Sequence, residues 1–509
     1  MARSDFRSLK GVGLIKVSGF SSSEGNRAKL NSITARLKEK DSTIWGVEAA
    51  AEAVNRLDWI DLPRTSRDLL PQLDALSAWS RELDHQRFIL CGMGGSSLAP
   101  EVIALNFKKN LAVLDSTDPE QIAEVISEGI TDACIIISSK SGTTIETKSQ
   151  FAFFMNAIKS QGLEPRNHFV IVTDPGSELA QIAGAANLKL VLANPKVGGR
   201  FSALSAFGLT PAALLGVDIS ILLDDAQDAS LSFSDPDSEP VKVAAALYES
   251  NFPEIFDKDS IPGLGDWIEQ LIGESTGKDG RGVLPIVVQD KNSGVITFSS
   301  QDPISVVAPL GAQFIFWEWV TALLCYLLDV DPFNQPNVTE SKDRTATILA
   351  RGSTETYSIL YEDSLMVVYG EGQPTALTDL LTSFLSNSFQ YISIMVYLNR
   401  NNSDLSKLQE ILRKSEKKVS FGWGPRFLHS TGQFHKGGPS TGAFIQITGE
   451  PIVDFEIPNT EYSFSKLISA QAAGDFEALA SRKLPAIRIH LKDRLAGSKK
   501  LIEVFETLN

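Results

Sequence analysis

The sequence predicts an α/β protein: two αβα domains, each built on a doubly wound, mostly parallel sheet, with a helical N-terminal lead-in. Three observations carry this reading. Short runs of apolar and β-branched residues recur at 88–91, 111–114, 134–137, 169–173 and 188–192. The runs are mainly apolar instead of strictly alternating, the pattern of a strand buried on both faces. Between most of them lie amphipathic stretches, such as 147–161 and 177–186, long enough to return over a sheet as helices.

Taken in order, residues 1–80 form the lead-in, because 27–80 are rich in Ala, Leu, Lys and Glu with apolar residues at helical spacing. Residues 81–230 form the first domain. The polar, proline-punctuated segment "SLSFSDPDSEP" (230–240) reads as a boundary. Residues 240–450 form the second domain, with a helix near 266–272, a strand at 284–288, an apolar helix at 314–328 and strands at 392–398 and 443–448. Residues 451–509, with a strand at 487–491, are expected to pack back on the first domain. "LQEILRKSEKK" reads as an exposed charged helix, and the rest of 340–420 receives no role.

Composition narrows the function classes. The chain has 509 residues, 43% of them hydrophobic, enough for a large core divided into two or three domains. A formal net charge of -15 argues against DNA or RNA as partner, since such affinity comes from clustered Lys and Arg. Cys91, Cys134 and Cys325 lie in apolar surroundings without metal or disulfide spacing, which suits buried thiols in a reducing compartment. The first twenty residues lack the apolar stretch of a secretory leader. The run "FIFWEWVTALLCYLLDV" carries Glu318 and Asp329 and is shorter than a typical ~20-residue membrane span, so a buried core helix is expected. The expectation is a soluble, cytoplasmic protein without nucleic-acid or membrane partners.

Two loops carry the chemistry. In "CGMGGSSLAP" (91–100) a strand runs into a glycine turn and then a helix, which presents free N–H groups and a positive dipole end to an anion. Gly95 lets the backbone approach, and Ser96 can donate. A dinucleotide pyrophosphate suits the turn, with Asp115 about 20 residues on as a ribose ligand. Ser97, however, stands where the third glycine of G-x-G-x-x-G belongs. The second loop, in "IIISSKSGTTIET", sets Ser139, Ser141, Thr143 and Thr144 around one helix start, a nest suited to a terminal phosphate, with Lys140 adding charge. A dinucleotide fold has no need of it, and two such loops on one sheet suggest a phosphosugar.

"GMGGSSLAP", "SSKSGTT" and "VGGRFSALSAFGLTPAALLGVDI" resemble consecutive signatures of the glucose-6-phosphate isomerase family, whose members have two sugar-isomerase (SIS) domains. "WIEQLIGESTGKDGRGVLPI", "NQPNVTESK", "FLHSTGQFHKGGPSTGAFIQITG" and "FSKLISAQAAGDFEAL" agree, in order, to about residue 480. The last stretches are closest to the isomerase half of bacterial transaldolase/glucose-6-phosphate isomerase fusions. The resemblance implies aldose–ketose isomerisation of glucose 6-phosphate and fructose 6-phosphate through a cis-enediolate, in a homodimer with shared active sites. It assigns Glu274 as the base and Arg200 to the substrate oxygens. Of the two histidines in "HSTGQFHKGG", His435 is expected to open the sugar ring, with His429 the alternative. In the family this histidine crosses the dimer interface. The family's C-terminal lysine corresponds to Lys466, or is replaced by Gln471 on the sugar phosphate. With no metal cluster and no G-x-x-x-x-G-K-[ST] loop, no cofactor is expected. Three rival readings accompany this one: an NAD-dependent dehydrogenase, a non-catalytic SIS module that senses a phosphosugar, and dual specificity for mannose 6-phosphate.

Overall fold

The computed structural model describes residues 14–292, 294–351 and 357–508. After the short strand β1 (Lys16–Ser18) come the helices Glu24–Asn31, Ile33–Lys38, Val47–Ala53 and Leu70–Glu82. The Ser23 hydroxyl caps the first of them at Asn26 N–H, and Leu30, Ile33 and Leu37 turn inward.

The first sheet holds β2 (Arg87–Gly92), β3 (Ala112–Leu114), β4 (Ala133–Ser138), β5 (Phe169–Thr173) and β6 (Lys189–Leu192) in the order β3-β2-β4-β5-β6, every pairing parallel. Both faces of β4 are buried. Cys134 and Ile136 join the core on one side, and Ile135 and Ile137 the core on the other. That double burial is why the strand sequences are apolar without alternation. The carboxyl ends of β2 and β4 run into the two loops singled out above.

Segment 230–240 does not divide the chain. It joins the helices Ile219–Ser230 and Glu239–Tyr248, and both bury faces in the same core. Phe233 lies between them, buried against Phe316 and Trp319. The prolines and polar residues mark a tight turn that this phenylalanine pins down. The same core takes in the helices Leu264–Thr276 and Leu310–Leu328 and reaches Phe333. Residues Gly311–Cys325 are buried throughout, so this apolar helix is a core helix, and burial raises the Glu318 carboxyl well above its ordinary range. The strand expected at 284–288 is the two-residue β8 (Ile286–Val287), parallel to β7 (Glu254–Ile255), and β9 (Ser305–Val307) pairs with β1.

The second sheet therefore begins much later than residue 240. It contains β10 (Ser358–Glu362), β11 (Met366–Gly370), β12 (Tyr391–Val396), β13 (Lys418–Trp423), β14 (Gly442–Gly449) and β15 (Ala486–Leu491), ordered β10-β11-β15-β14-β12-β13. The four strands from β12 onward are parallel, and β10 and β11 form an antiparallel edge. The expectation for 451–509 is corrected: β15 is an inner strand of this second sheet, and Leu501 and Phe505 of the final helix Arg494–Thr507 share its core. Only part of the segment reaches back. On the helix Phe464–Ser481, Phe464 and Leu467 enter the core of the first sheet, while Ile468, Ala472 and Leu479 face the second. The charged stretch is corrected too. Helix Lys407–Arg413 buries Leu408, Ile411 and Leu412, and the Lys-rich remainder turns at Glu416 (φ 60°) into β13. Cys91, Cys134 and Cys325 are free and buried.

Candidate active site

Both loops open onto one cavity of about 940 Å³, lined also by Arg200, Gln270, Glu274, Gln335, Lys342 and His429. At the end of β2 the turn Gly94–Ser96 is held by close approach. Gly94 has φ +56°, and a Cβ there would lie 2.6 Å from Gln270 Nε2 and 2.8 Å from His429 O. A Cβ on Gly95 would lie 2.0 Å from Gly199 O. Ser96 faces the cavity, whereas Ser97 is buried and donates to Gly94 O at 3.2 Å and Asp115 Oδ2 at 3.4 Å. Asp115 is buried and receives Arg426 Nη1 at 2.8 Å, so it belongs to an internal ion cluster and no ribose reaches it.

At the end of β4 the chain turns through Gly142 (φ +71°) into the helix Ile145–Ser160. The loop hydroxyls brace one another. Ser139 Oγ donates to Thr144 Oγ1 at 3.1 Å and receives Gly142 N–H, while Ser141 Oγ and Thr143 Oγ1 lie 2.9 Å apart. Lys140 pairs with Asp174 and donates to Pro195 O at 3.2 Å, fixing its ammonium at the cavity wall. Ser96, Ser139, Lys140, Ser141, Thr143 and Thr144 thus share one end of the cavity.

The other end is set by the last turn of helix Leu264–Thr276. Glu274 is buried, its Oε1 3.7 Å from Arg200 Nε, and Gln270 Nε2 reaches its Oε2 at 3.3 Å. Burial raises the Glu274 carboxyl, and the nearby Arg200, His429 and Lys278 side chains only partly offset this. Arg200 is held on its far side by Ser275 Oγ (3.1 Å), Phe333 O (2.8 Å) and Asn334 O (3.2 Å). Lys278 anchors the same loop by donating to Asp331 O, and Asp331 Oδ1 accepts from Phe333 N–H at 2.7 Å. Burial, with Arg200 nearby, pushes the Lys278 ammonium down to about 7.

The histidine expectation is corrected. His435 lies outside the cavity, buried against Tyr391, Phe427, Phe434 and Phe444, with its two ring nitrogens 3.1 Å from Tyr391 Oη and Ser393 Oγ. Burial, with Lys436 beside it, holds it neutral, its pKa down at about 3. His429 lines the cavity instead, and its Nε2 lies 2.9 Å from Glu146 Oε1. Burial raises the Glu146 carboxyl, but the His429 ring, a backbone N–H and Lys342 together outweigh it, so the net shift is downward. The chain thus places His429 in its own cavity.

The two candidates for the family lysine are corrected as well. Lys466 is exposed on the outer face of its helix. Gln471 is buried, takes Thr117 Oγ1 at 2.6 Å and donates to Glu146 Oε1 at 2.6 Å, so it braces the histidine's partner. Besides Lys140, the cavity is lined by Lys342, from the quoted "NQPNVTESK". Gln335 and Lys342 stand seven residues apart at the start of helix Pro336–Arg351, two turns that put both on one face. That spacing was the available signal. Gln270 and Glu274, one turn apart, offered another.

The chain resembles known proteins in sequence and in fold. Residues 80–271 match the family model described as phosphoglucose isomerase. "Glucose-6-phosphate isomerase" of Thermus thermophilus is 32% identical over 241 residues, 45% of this chain and 57% of that protein. The one from Mycoplasmopsis pulmonis is 26% identical over 392 residues, 59% of this chain and 91% of the other. The chain spans about half the length of the first curated relatives it matches. A solved glucose-6-phosphate isomerase from Chlamydia trachomatis superposes with a TM-score of 0.50 at 18% identity, covering 68% of this chain and 82% of that one, a likeness of fold.

Proposed function

We propose that the chain belongs to the phosphoglucose isomerase family, whose model matches residues 80–271, and that it interconverts glucose 6-phosphate and fructose 6-phosphate. One observation supports this most: a buried carboxylate and a guanidinium, Glu274 and Arg200, lie 3.7 Å apart in a cavity that the two hydroxyl-rich loops also line. The phosphate sits on Ser96, Ser141, Thr143, Thr144 and the N–H groups of the helix start, which direct C1 and C2 toward Glu274. His429, held by Glu146, and Lys342 exchange protons with the ring oxygen and O1 to open the pyranose. Glu274 then takes the C2 proton and returns it to C1. Its raised pKa makes it a stronger base than an exposed glutamate. Arg200 cannot give up its proton, so it holds the developing oxyanion of the cis-enediolate without becoming an acid. Three buried free thiols suit the reducing cytoplasm, where hexose 6-phosphates are made and consumed.

The test is Glu274→Gln in a coupled assay run in deuterated water. Loss of this base lowers kcat by about 10²–10⁴-fold and abolishes deuterium entry at C2, with KM within a few-fold. Wild-type turnover in that variant would remove Glu274 from the mechanism. Running mannose 6-phosphate beside glucose 6-phosphate reads out the breadth of specificity.

A further inference from the structure

A second cavity, of about 440 Å³, lies on the second sheet, far along the chain from the residues assigned above. It sits at the carboxyl ends of β12 and β14, the topological position at which open α/β sheets hold ligands. Along β15 the residues alternate. Ile487, Ile489 and Leu491 pack into the second core, while Arg488 and His490 project from the opposite face into the cavity.

Arg488 is unusual among the inward-facing cations. Arg426 meets Glu101 and Asp115, Arg494 meets Asp118 and Glu120, and Lys436 meets Asp475. Among the described residues no carboxylate comes within the 4 Å of an ion pair to Arg488. Its Nε donates to Gln446 Oε1 at 2.7 Å, its Nη2 donates to the Ala472 carbonyl at 3.2 Å, and the guanidinium stacks 4.5 Å over Phe476. These contacts fix the plane of the group and leave Nη1 without a partner. Asp475 and Glu477 act on this half-buried guanidinium only from beyond ion-pair distance, so burial still lowers its pKa, and an anion in direct contact with Nη1 would offset that cost. Tyr397, the residue after β12, lines the same cavity. It is 2% exposed, its hydroxyl makes no close hydrogen bond, and burial together with the nearby Asp475 carboxylate raises its pKa well above the ordinary tyrosine value.

We propose that this cavity is a binding site for a small organic anion, whose carboxylate or phosphate is taken by Arg488 Nη1 and Tyr397 Oη and whose body lies against Tyr369 and Ile468. The volume falls in the range of small-molecule sites, about 300–1,000 Å³. The site is separate from the isomerase cavity and does not depend on the reading of that cavity.

The test is calorimetric titration of the full chain with two probes, inorganic phosphate and benzoate. Arg488→Met keeps the stem against Phe476 and removes the charge; Arg488→Lys keeps the charge and loses the fork. A Ser141→Ala/Thr144→Ala variant weakens phosphate binding in the isomerase cavity, separating the two sites. The expected result is a binding event that survives in the Ser141/Thr144 variant, weakens at least about tenfold in Arg488→Lys and vanishes in Arg488→Met, while isomerase turnover of both Arg488 variants stays at the wild-type level. Benzoate alone giving the signal identifies a carboxylate ligand, and phosphate alone a phosphoester. The proposal is overturned if both probes bind Arg488→Met as they bind wild type, or if neither binds the Ser141/Thr144 variant. It is also overturned if Arg488→Met dissolves an oligomer on gel filtration without changing anion binding.

Discussion

Replacing Gly95 by alanine tests the site at its tightest point. The added methyl would stand 2.0 Å from Gly199 O and 2.6 Å from Gly199 C, where real Cβ contacts do not fall below 3.0 Å. The turn bearing Ser96 and the one bearing Arg200 must therefore separate by about 1 Å, and neither contact atom is a flexible side-chain end. A 1 Å misplacement of a catalytic group costs about 10²-fold in rate. The expected fall in kcat/KM is thus about 100-fold, or about 2.7 kcal/mol of transition-state stabilisation. The strain also lowers stability by about 1–3 kcal/mol. Steady-state kinetics with glucose 6-phosphate, beside a thermal melt, reads both. A Gly95→Ala enzyme within about threefold of wild type, melting at the same temperature, would refute the claim that contact between these two turns sets the distance from Arg200 to the phosphate loop.

The two histidines separate cleanly. His429→Asn is expected to lower turnover of the cyclic sugar about 100-fold with little change in melting, whereas His435→Phe strands the Tyr391 and Ser393 hydroxyls, costs about 1–3 kcal/mol of stability and leaves kcat/KM within a few-fold. The reverse pattern would restore His435 to the chemistry. Glu274→Gln should raise stability above about pH 5: the folded pKa of Glu274 lies above the unfolded value near 4.5, so its favourable contribution is present below 4.5 and lost as pH rises through the folded pKa. Equal melting temperatures for Glu274→Gln and wild type at pH 8 would contradict this. Lys278→Met should lower kcat/KM about tenfold by loosening the loop that holds Arg200, and should erase an inflection near pH 7 where the buried ammonium loses its proton. An unchanged pH profile would mean that Lys278 does not report to the site.

The first sheet was legible because its central strands β4 and β5 are buried throughout and leave a nearly unbroken apolar record, to which β2 and the partly exposed β6 add shorter apolar runs. The second was legible only at its centre, in β12, β14 and β15. Edge strand β10 exposes Ile359 and carries polar neighbours, and β13 follows a lysine-rich turn, so neither leaves that record. The boundary at 230–240 failed because a turn inside one core and a linker between two cores share the same composition. Phe233, buried in the turn, was the residue that distinguished them. Within the site, residues carried by a local motif, such as Glu274, Arg200 and the SSKSGTT hydroxyls, could be named from sequence. The histidine could not, since His429 and His435 share one short loop and only the three-dimensional neighbours, Glu146 for one and Tyr391 for the other, divide their roles. Lys466 was misplaced for the same reason: a helix position does not reveal which side faces the cavity.

The helix Phe464–Ser481 has a consequence for how the molecule comes into being. Phe153 on the first sheet's outer helix rests on Phe455 and Phe464, and Ile457 and Leu467 complete that core. These partners leave the ribosome roughly 300 residues after Phe153, a delay on the order of 15–60 s at about 5–20 residues per second. Through that interval the nascent first sheet has one apolar flank uncovered, and Glu146 waits for both His429 and Gln471. The phosphate loops can form early, but the proton-handling end of the site must be among the last parts to assemble. A chain stalled before residue 429 would carry both hydroxyl loops without His429, and one stalled before residue 471 would lack the Gln471 brace on Glu146.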